Sequence, residues 1–183
     1  DRERAKDLMA SIKDFDKLVF EGHSTDYQTK YKLRELVEDG VGILKVGPGL
    51  TYAAREGIFS LCMIEEELAA VYGFETSHFR EELDKAMLAN PGKWAPFKRK
   101  YSFSDRCRYY LPQENVKNAL AKLLANLKEH PVPLPLLSQY MPFQYTLVRE
   151  GKLNNTPEDL IKARVMYTIE EYTYASHQEE LVR

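Results

Sequence analysis

Two short apolar runs constrain this chain more than any other feature. Lys17-Leu18-Val19-Phe20-Glu21-Gly22 and Gly42-Ile43-Leu44-Lys45-Val46 read as β-strands, and both are apolar on both faces. Helical patterns lie before, between and after them. Arg2 to Lys13 carries Ala5, Leu8, Met9 and Ile12 on one stripe, which predicts an amphipathic helix with a buried face. Thr29 is placed to cap a helix running to about Asp39, with Leu33, Leu36 and Val37 on one face and Gly40 as its stop. A third helix is expected from near Leu50 to about Tyr72, closed by Gly73. The order α-β-α-β-α implies parallel strands covered by helices.

Two parallel strands bury little and leave unpaired edges on both sides. No other strong strand signal follows in the 183 residues, so partner strands are expected N-terminal to Asp1. The chain begins without Met, directly inside a helical pattern, which fits a trimmed or partial chain. The simplest account is an α/β chain: the C-terminal part of a TIM (β/α)8 barrel, its last two βα units, over residues 1–73. A mostly helical C-terminal extension, residues 74–183, then packs on the barrel. A helix-dominated domain with a small accessory sheet is the alternative. Within the extension, helices are expected over Ser77–Leu88, Gln113–Glu129 and, more briefly, near Leu136–Tyr140 beyond the prolines 131, 133 and 135. The last should start at Thr156-Pro157-Glu158-Asp159 and run to about Ser176, because a cap, a first-turn proline and first-turn acids coincide there.

The bulk numbers exclude several classes. Hydrophobic residues at 44% and charged residues at 30% are an ordinary globular balance, which argues against disorder. A net charge of −2 with both signs interspersed gives no field directed at nucleic acid or an anionic membrane. No apolar run approaches a membrane span, and no signal peptide is visible. Cys62 and Cys107 are far apart and form no CxxC pair, so a reduced, cytoplasmic chain is the default expectation.

Candidate chemistry gathers at the ends of the two strands, where barrel enzymes keep theirs. After the first strand stand Glu21-Gly22-His23-Ser24-Thr25-Asp26. His23 is suited to bind a metal or shuttle a proton, Ser24 and Thr25 offer donors to a phosphate, and Glu21 and Asp26 are candidate bases. The bland alternative is a polar turn that caps the next helix. At the end of the second strand, Lys45 is expected to point into the barrel mouth and meet a phosphate or carboxylate, and Gly47 and Gly49 open backbone N–H groups ahead of a helix N-terminus. A Schiff-base role for Lys45, or a structural ion pair with Glu21, stays open beside that reading. A third segment, Lys93 to Tyr110, interleaves Lys98, Arg99, Lys100, Arg106 and Arg108 with Trp94, Tyr101, Phe103, Tyr109 and Tyr110. Nucleic acid is disfavoured there by the overall acidity; phosphate binding, or packing of the extension, fits better. His78, His130 and His177 lack metal-ligand spacing, and Cys62 falls on an apolar helix face.

Taken in order, several of these stretches resemble one family, the GatZ/KbaZ-type subunit of D-tagatose-1,6-bisphosphate aldolase. The residues that carry the resemblance are Val19-Phe20-Glu21-Gly22-His23-Ser24-Thr25-Asp26-Tyr27-Gln28-Thr29, Ile43 to Pro48, Leu50-Thr51 through Arg55-Glu56, and Ile64-Glu65-Glu66-Glu67-Leu68. Tyr101-Ser102-Phe103-Ser104-Asp105-Arg106 with Arg108-Tyr109-Tyr110, and Pro133 to Tyr140 with Gln144-Tyr145, complete it. The resemblance implies a TIM barrel with a helical extension and a protein about twice this length. It implies a non-catalytic, chaperone-like accessory subunit that supports the activity and stability of a class II, zinc-dependent catalytic subunit in galactitol or N-acetylgalactosamine-type sugar catabolism. Some relatives are associated with ketose C4-epimerisation. The alternative function is therefore a metal-dependent ketose-phosphate epimerase or aldolase, with His23 as ligand to a divalent metal such as zinc. A class II aldolase follows its ligand His with a Gly-rich phosphate loop; here Ser24-Thr25-Asp26 stands instead, which puts the phosphate role of these residues in question.

Overall fold

The structure is a computed structural model that describes residues 2–91 and 101–178. It is a mixed α/β chain, mostly helical, with a small parallel sheet of two strands among the described residues. In chain order the elements are α1 (Arg2–Ser11), β1 (Phe20–Gly22), α2 (Lys30–Glu38), β2 (Val41–Leu44), α3 (Pro48–Tyr72), α4 (Phe79–Ala89), α5 (Glu114–Glu129), α6 (Leu134–Tyr140), α7 (Pro142–Arg149) and α8 (Pro157–Ala175). Short 3-10 turns occupy Ile12–Asp14 and Arg106–Tyr109. The chain divides into two compact units, Asp1–Leu50 with Met166–Arg183, and Thr51–Val165.

In the first unit β1 and β2 pair in parallel, Phe20 opposite Val41, Glu21 opposite Ile43 and Gly22 opposite Leu44, with an irregularity between Phe20 and Glu21. Lys45 N–H donates to Gly22 O at 2.9 Å, which carries the pairing one residue past the sheet. α2 starts where its cap demands: the Thr29 hydroxyl accepts from Lys32 N–H, and Gly40 takes the left-handed φ of +112° that ends the helix. Hydrophobic burial here is thin, limited to Leu33, Val41 and Ala175 among the described apolar side chains. α1 does not acquire the buried stripe its periodicity predicts: Ala5, Met9 and Ile12 are half-buried, and Leu8 is exposed. Val19 and Ile43, beside and within the sheet, are exposed as well. Amphipathic patterning announces a face to be covered; no described element covers it.

The second unit holds the main core. Leu61, Ile64, Leu83, Met87, Val116, Leu123, Leu127, Leu137 and Leu160 are all within 1% of complete burial. Each such side chain contributes about 1.5–3 kcal/mol relative to exposure. Two polar arrangements are buried with them. Glu65 accepts from Ser77 N–H at 2.9 Å, from the Ser77 hydroxyl at 2.6 Å and from Asn126 Nδ2 at 2.6 Å. Arg55 and Asp105 form an ion pair through a single contact, Nε to Oδ1 at 2.9 Å, with their side chains 3% and 0% exposed. Arg55 Nη2 and Asp105 Oδ2 have no partner among the described residues. Burial opposes the charge on Arg55, and hydrogen bonding to Asp105 and Tyr52 with the charge of Asp105 outweighs it, so the guanidinium is held above its ordinary value. At the far end of α3, His130 lies stacked between Tyr72 at 5.1 Å and Phe74 at 4.5 Å, centroid to centroid.

Helix boundaries differ from expectation in instructive places. α4 begins at Phe79, not Ser77, because the Ser77 side chain and amide are drawn to Glu65 and His78 adopts a left-handed φ of +52°. α6 begins at Leu134 and tolerates Pro135, since the first turn needs no N–H there. α7 opens on Pro142 in the same way and was not anticipated. α8 starts as its signals predict, with the Thr156 hydroxyl accepting from Asp159 N–H.

Candidate functional site

The exits of β1 and β2 lie side by side because the strands are parallel neighbours. Glu21 is the centre of the first group. One of its oxygens, Oε1, lies 2.8 Å from His23 Nε2 and 2.8 Å from Lys45 Nζ. The hydrogen bond from Lys45, reinforced by its charge and that of His23, holds the Glu21 carboxyl below the usual carboxylate range. Neither side chain is buried: those of His23 and Lys45 are 67% and 58% exposed. Lys45, expected to meet a phosphate or carboxylate, is exposed and paired with Glu21, the ion pair that the sequence left open beside that reading.

The second group is held by Thr25 and Asp26. Thr25, nearly fully buried, donates from its hydroxyl to Lys45 O at 2.9 Å and shares a 3.0 Å hydrogen bond with the Tyr172 hydroxyl on α8. Desolvation raises the Tyr172 phenol above its ordinary value. Asp26 Oδ1 accepts from Gly47 N–H at 2.9 Å and from Gly49 N–H at 2.7 Å. The amides read as an anion site therefore do meet an anion, supplied by the chain itself. A Cβ at position 49 would stand 2.8 Å from that oxygen, so glycine is what permits the approach. Ser24 and Tyr27, on either side, carry left-handed φ values of +57° and +63°.

The structure thus brings Glu21 to His23 and Lys45, and Thr25 and Asp26 to the second exit loop. Ser24 and Thr25 also line a cleft of about 580 Å³ with Gly22, His23, Gln28 and Lys32. Tyr172 escaped the sequence reading: it lies 147 positions from Thr25, and only helical spacing within α8 hints at where it faces. No group of three or more His, Cys, Asp or Glu able to hold a metal occurs among the described residues. Glu21 and His23 supply two donors, short of the three protein ligands of a catalytic zinc site, so the described residues do not complete one. Of the aromatic and basic segment, Trp94, Lys98, Arg99 and Lys100 lie outside the described residues; Tyr101, Phe103 and Tyr109 are exposed. No helix among the described residues is long and apolar enough to cross a membrane.

These geometries can be set beside known proteins. A crystal structure described as that of a probable tagatose 6 phosphate kinase from Sinorhizobium meliloti 1021 is similar, with a TM-score of 0.87 and 36% sequence identity. The match covers 96% of this chain and 47% of that one, so the chain spans about half the length of that protein. Residues 1–177 match the family described as D-tagatose-1,6-bisphosphate aldolase subunit GatZ/KbaZ-like. The segments that carried the resemblance lie inside that match, and the chain belongs to the GatZ/KbaZ-like family of D-tagatose-1,6-bisphosphate aldolase subunits.

Proposed function

We propose that this chain is the C-terminal part of an accessory, non-catalytic subunit that supports a class II tagatose-bisphosphate aldolase catalytic subunit in the cytoplasm. In the whole protein, β1 and β2 would be the last strands of a TIM barrel, and the segment beyond Gly73 its helical extension. The bare edges of the two-stranded sheet and the uncovered Val19 and Ile43 support the barrel. One observation carries the accessory role: each candidate catalytic group is engaged by another group of the same chain. Glu21 is shared between His23 and Lys45, and Asp26 is taken by two backbone amides. A working base needs a lone pair within reach of substrate. The experiment mixes the full-length protein with the catalytic subunit. A raised thermal midpoint of the partner, and no cleavage by the full-length protein alone, is the expected result; an unchanged midpoint refutes the proposal.

A second reading, a metal-dependent ketose-phosphate C4-epimerase or aldolase, is favoured by the exposed contact between His23 and Glu21 at a strand end. In that reading Glu21 or Asp26 removes a hydroxyl proton and Lys45 meets the anion, while Ser24 and Thr25 face the phosphosugar. Metal analysis of the full-length protein decides it: His23→Ala should empty the site, and an unchanged metal content removes His23 from it.

A further inference from the structure

We infer that Asp26 is a positioning residue that seals this strand exit. Its carboxylate takes the amides a substrate phosphate would otherwise meet, and it ties the β1 exit loop to the β2 exit loop. The inference rests on the reading of the strand exits as the site inherited by an accessory subunit.

Four features support it. First, Gly47 N–H and Gly49 N–H converge on one oxygen, Asp26 Oδ1, at 2.9 and 2.7 Å. Those two bonds use that oxygen's in-plane lone pairs, so Oδ1 is committed to the backbone and only Oδ2 is left for another partner. Second, α3 begins at Pro48, so the carboxylate lies where the helix N-terminus favours negative charge. The anion position at the start of a 25-residue helix is filled from within. Third, the contact requires bare backbone, because a Cβ at Gly49 would stand 2.8 Å from Oδ1. Fourth, Ser24 and Tyr27 hold left-handed φ values. Each such residue costs on the order of 1–2 kcal/mol and persists only where surrounding contacts fix it. Those contacts include the Asp26 bonds and the ties of Thr25 to Lys45 O and Tyr172.

A base and a seal differ in what they need from the side chain. A seal needs one acceptor oxygen, which asparagine keeps; a base needs the carboxylate. The test follows the Gly47 and Gly49 amide resonances of the full-length protein by 15N NMR, with no partner present. Expected are resonances in wild type and Asp26→Asn that stay in place when inorganic phosphate is added. In Asp26→Ala they should move by the substitution alone. Should that variant fail to fold, Gly49→Ala serves, since its methyl group displaces the Asp26 oxygen and should shift the Gly47 resonance. Phosphate-dependent shifts in wild type overturn the inference. So do amides left in place by Asp26→Ala or Gly49→Ala, or an Asp26→Asn protein that behaves like Asp26→Ala. Because the accessory role is read from the partner's thermal midpoint, either conclusion can fail while the other stands.

Discussion

Removing one charge from the Arg55–Asp105 pair should destabilise the protein more than any surface substitution. Both side chains are essentially buried and touch through a single 2.9 Å contact. Asp105→Asn keeps the shape and tolerates the left-handed φ of +46° at this position, so it isolates the charge. Arg55→Met keeps length and packing. Removing one partner from a buried pair costs about 3–5 kcal/mol, because the other charge is left uncompensated. With Arg55 Nη2 and Asp105 Oδ2 already unpartnered, the pair is imperfect, and the lower end of that range, about 3 kcal/mol, is expected for each single variant. At roughly 2–4 °C per kcal/mol for a chain of this size, that is a Tm lower by about 6–12 °C. The double variant strands no charge and should lose well under 3 kcal/mol, giving a coupling energy above about 3 kcal/mol. Thermal unfolding of the full chain, followed by calorimetry and circular dichroism, measures all four proteins. Additive losses, or a single variant losing under about 1 kcal/mol, would refute the reasoning.

Other outcomes follow from the same geometry. Asn126→Ala removes a donor from buried Glu65 and should lower stability by about 1–3 kcal/mol in urea unfolding. Tyr172→Phe deletes the hydroxyl that meets Thr25 and should cost about 1 kcal/mol, with faster hydrogen exchange at Thr25 N–H as a local readout. Burial pushes the Cys107 thiol from an ordinary 9.0 up to about 12 and raises Cys62 as well. A raised folded value means that this contribution is intact below about pH 9 and is lost as pH climbs toward about 12. Cys107→Val should flatten the alkaline fall of the unfolding midpoint, and a thiol reagent at pH 8 should label Cys107 only as the protein unfolds.

The sequence pointed reliably to whatever is decided locally. The start of α8 follows from Thr156 and Pro157, the stop of α2 from Gly40, and the parallel pairing of β1 with β2 from two apolar runs joined through a helix. The closeness of the two strand exits is legible as well, because parallel neighbouring strands bring their ends side by side. What escaped depended on partners distant in sequence. Nothing in the neighbourhood of Asp26 says that its carboxylate will reach Gly47 and Gly49, and nothing near Ser77 says that Glu65 will pull it out of a helix start. α7 escaped for another reason: Pro142 reads as a breaker until one knows that it sits in a first turn. The Arg55–Asp105 pair joins two stretches that each carried the resemblance, yet only the folded chain shows that they meet.

The stack of His130 between two aromatic rings has a practical use. Circulating π-electrons in Tyr72, at an interplanar angle of 21°, and in Phe74, at 8°, shield the imidazole from both sides. The carbon-bound protons of His130 should therefore resonate well upfield of those of an ordinary histidine. A one-dimensional spectrum would then report on the packing at this end of α3 and α5 without any label, and the signal should collapse to its random-coil position when that packing is lost.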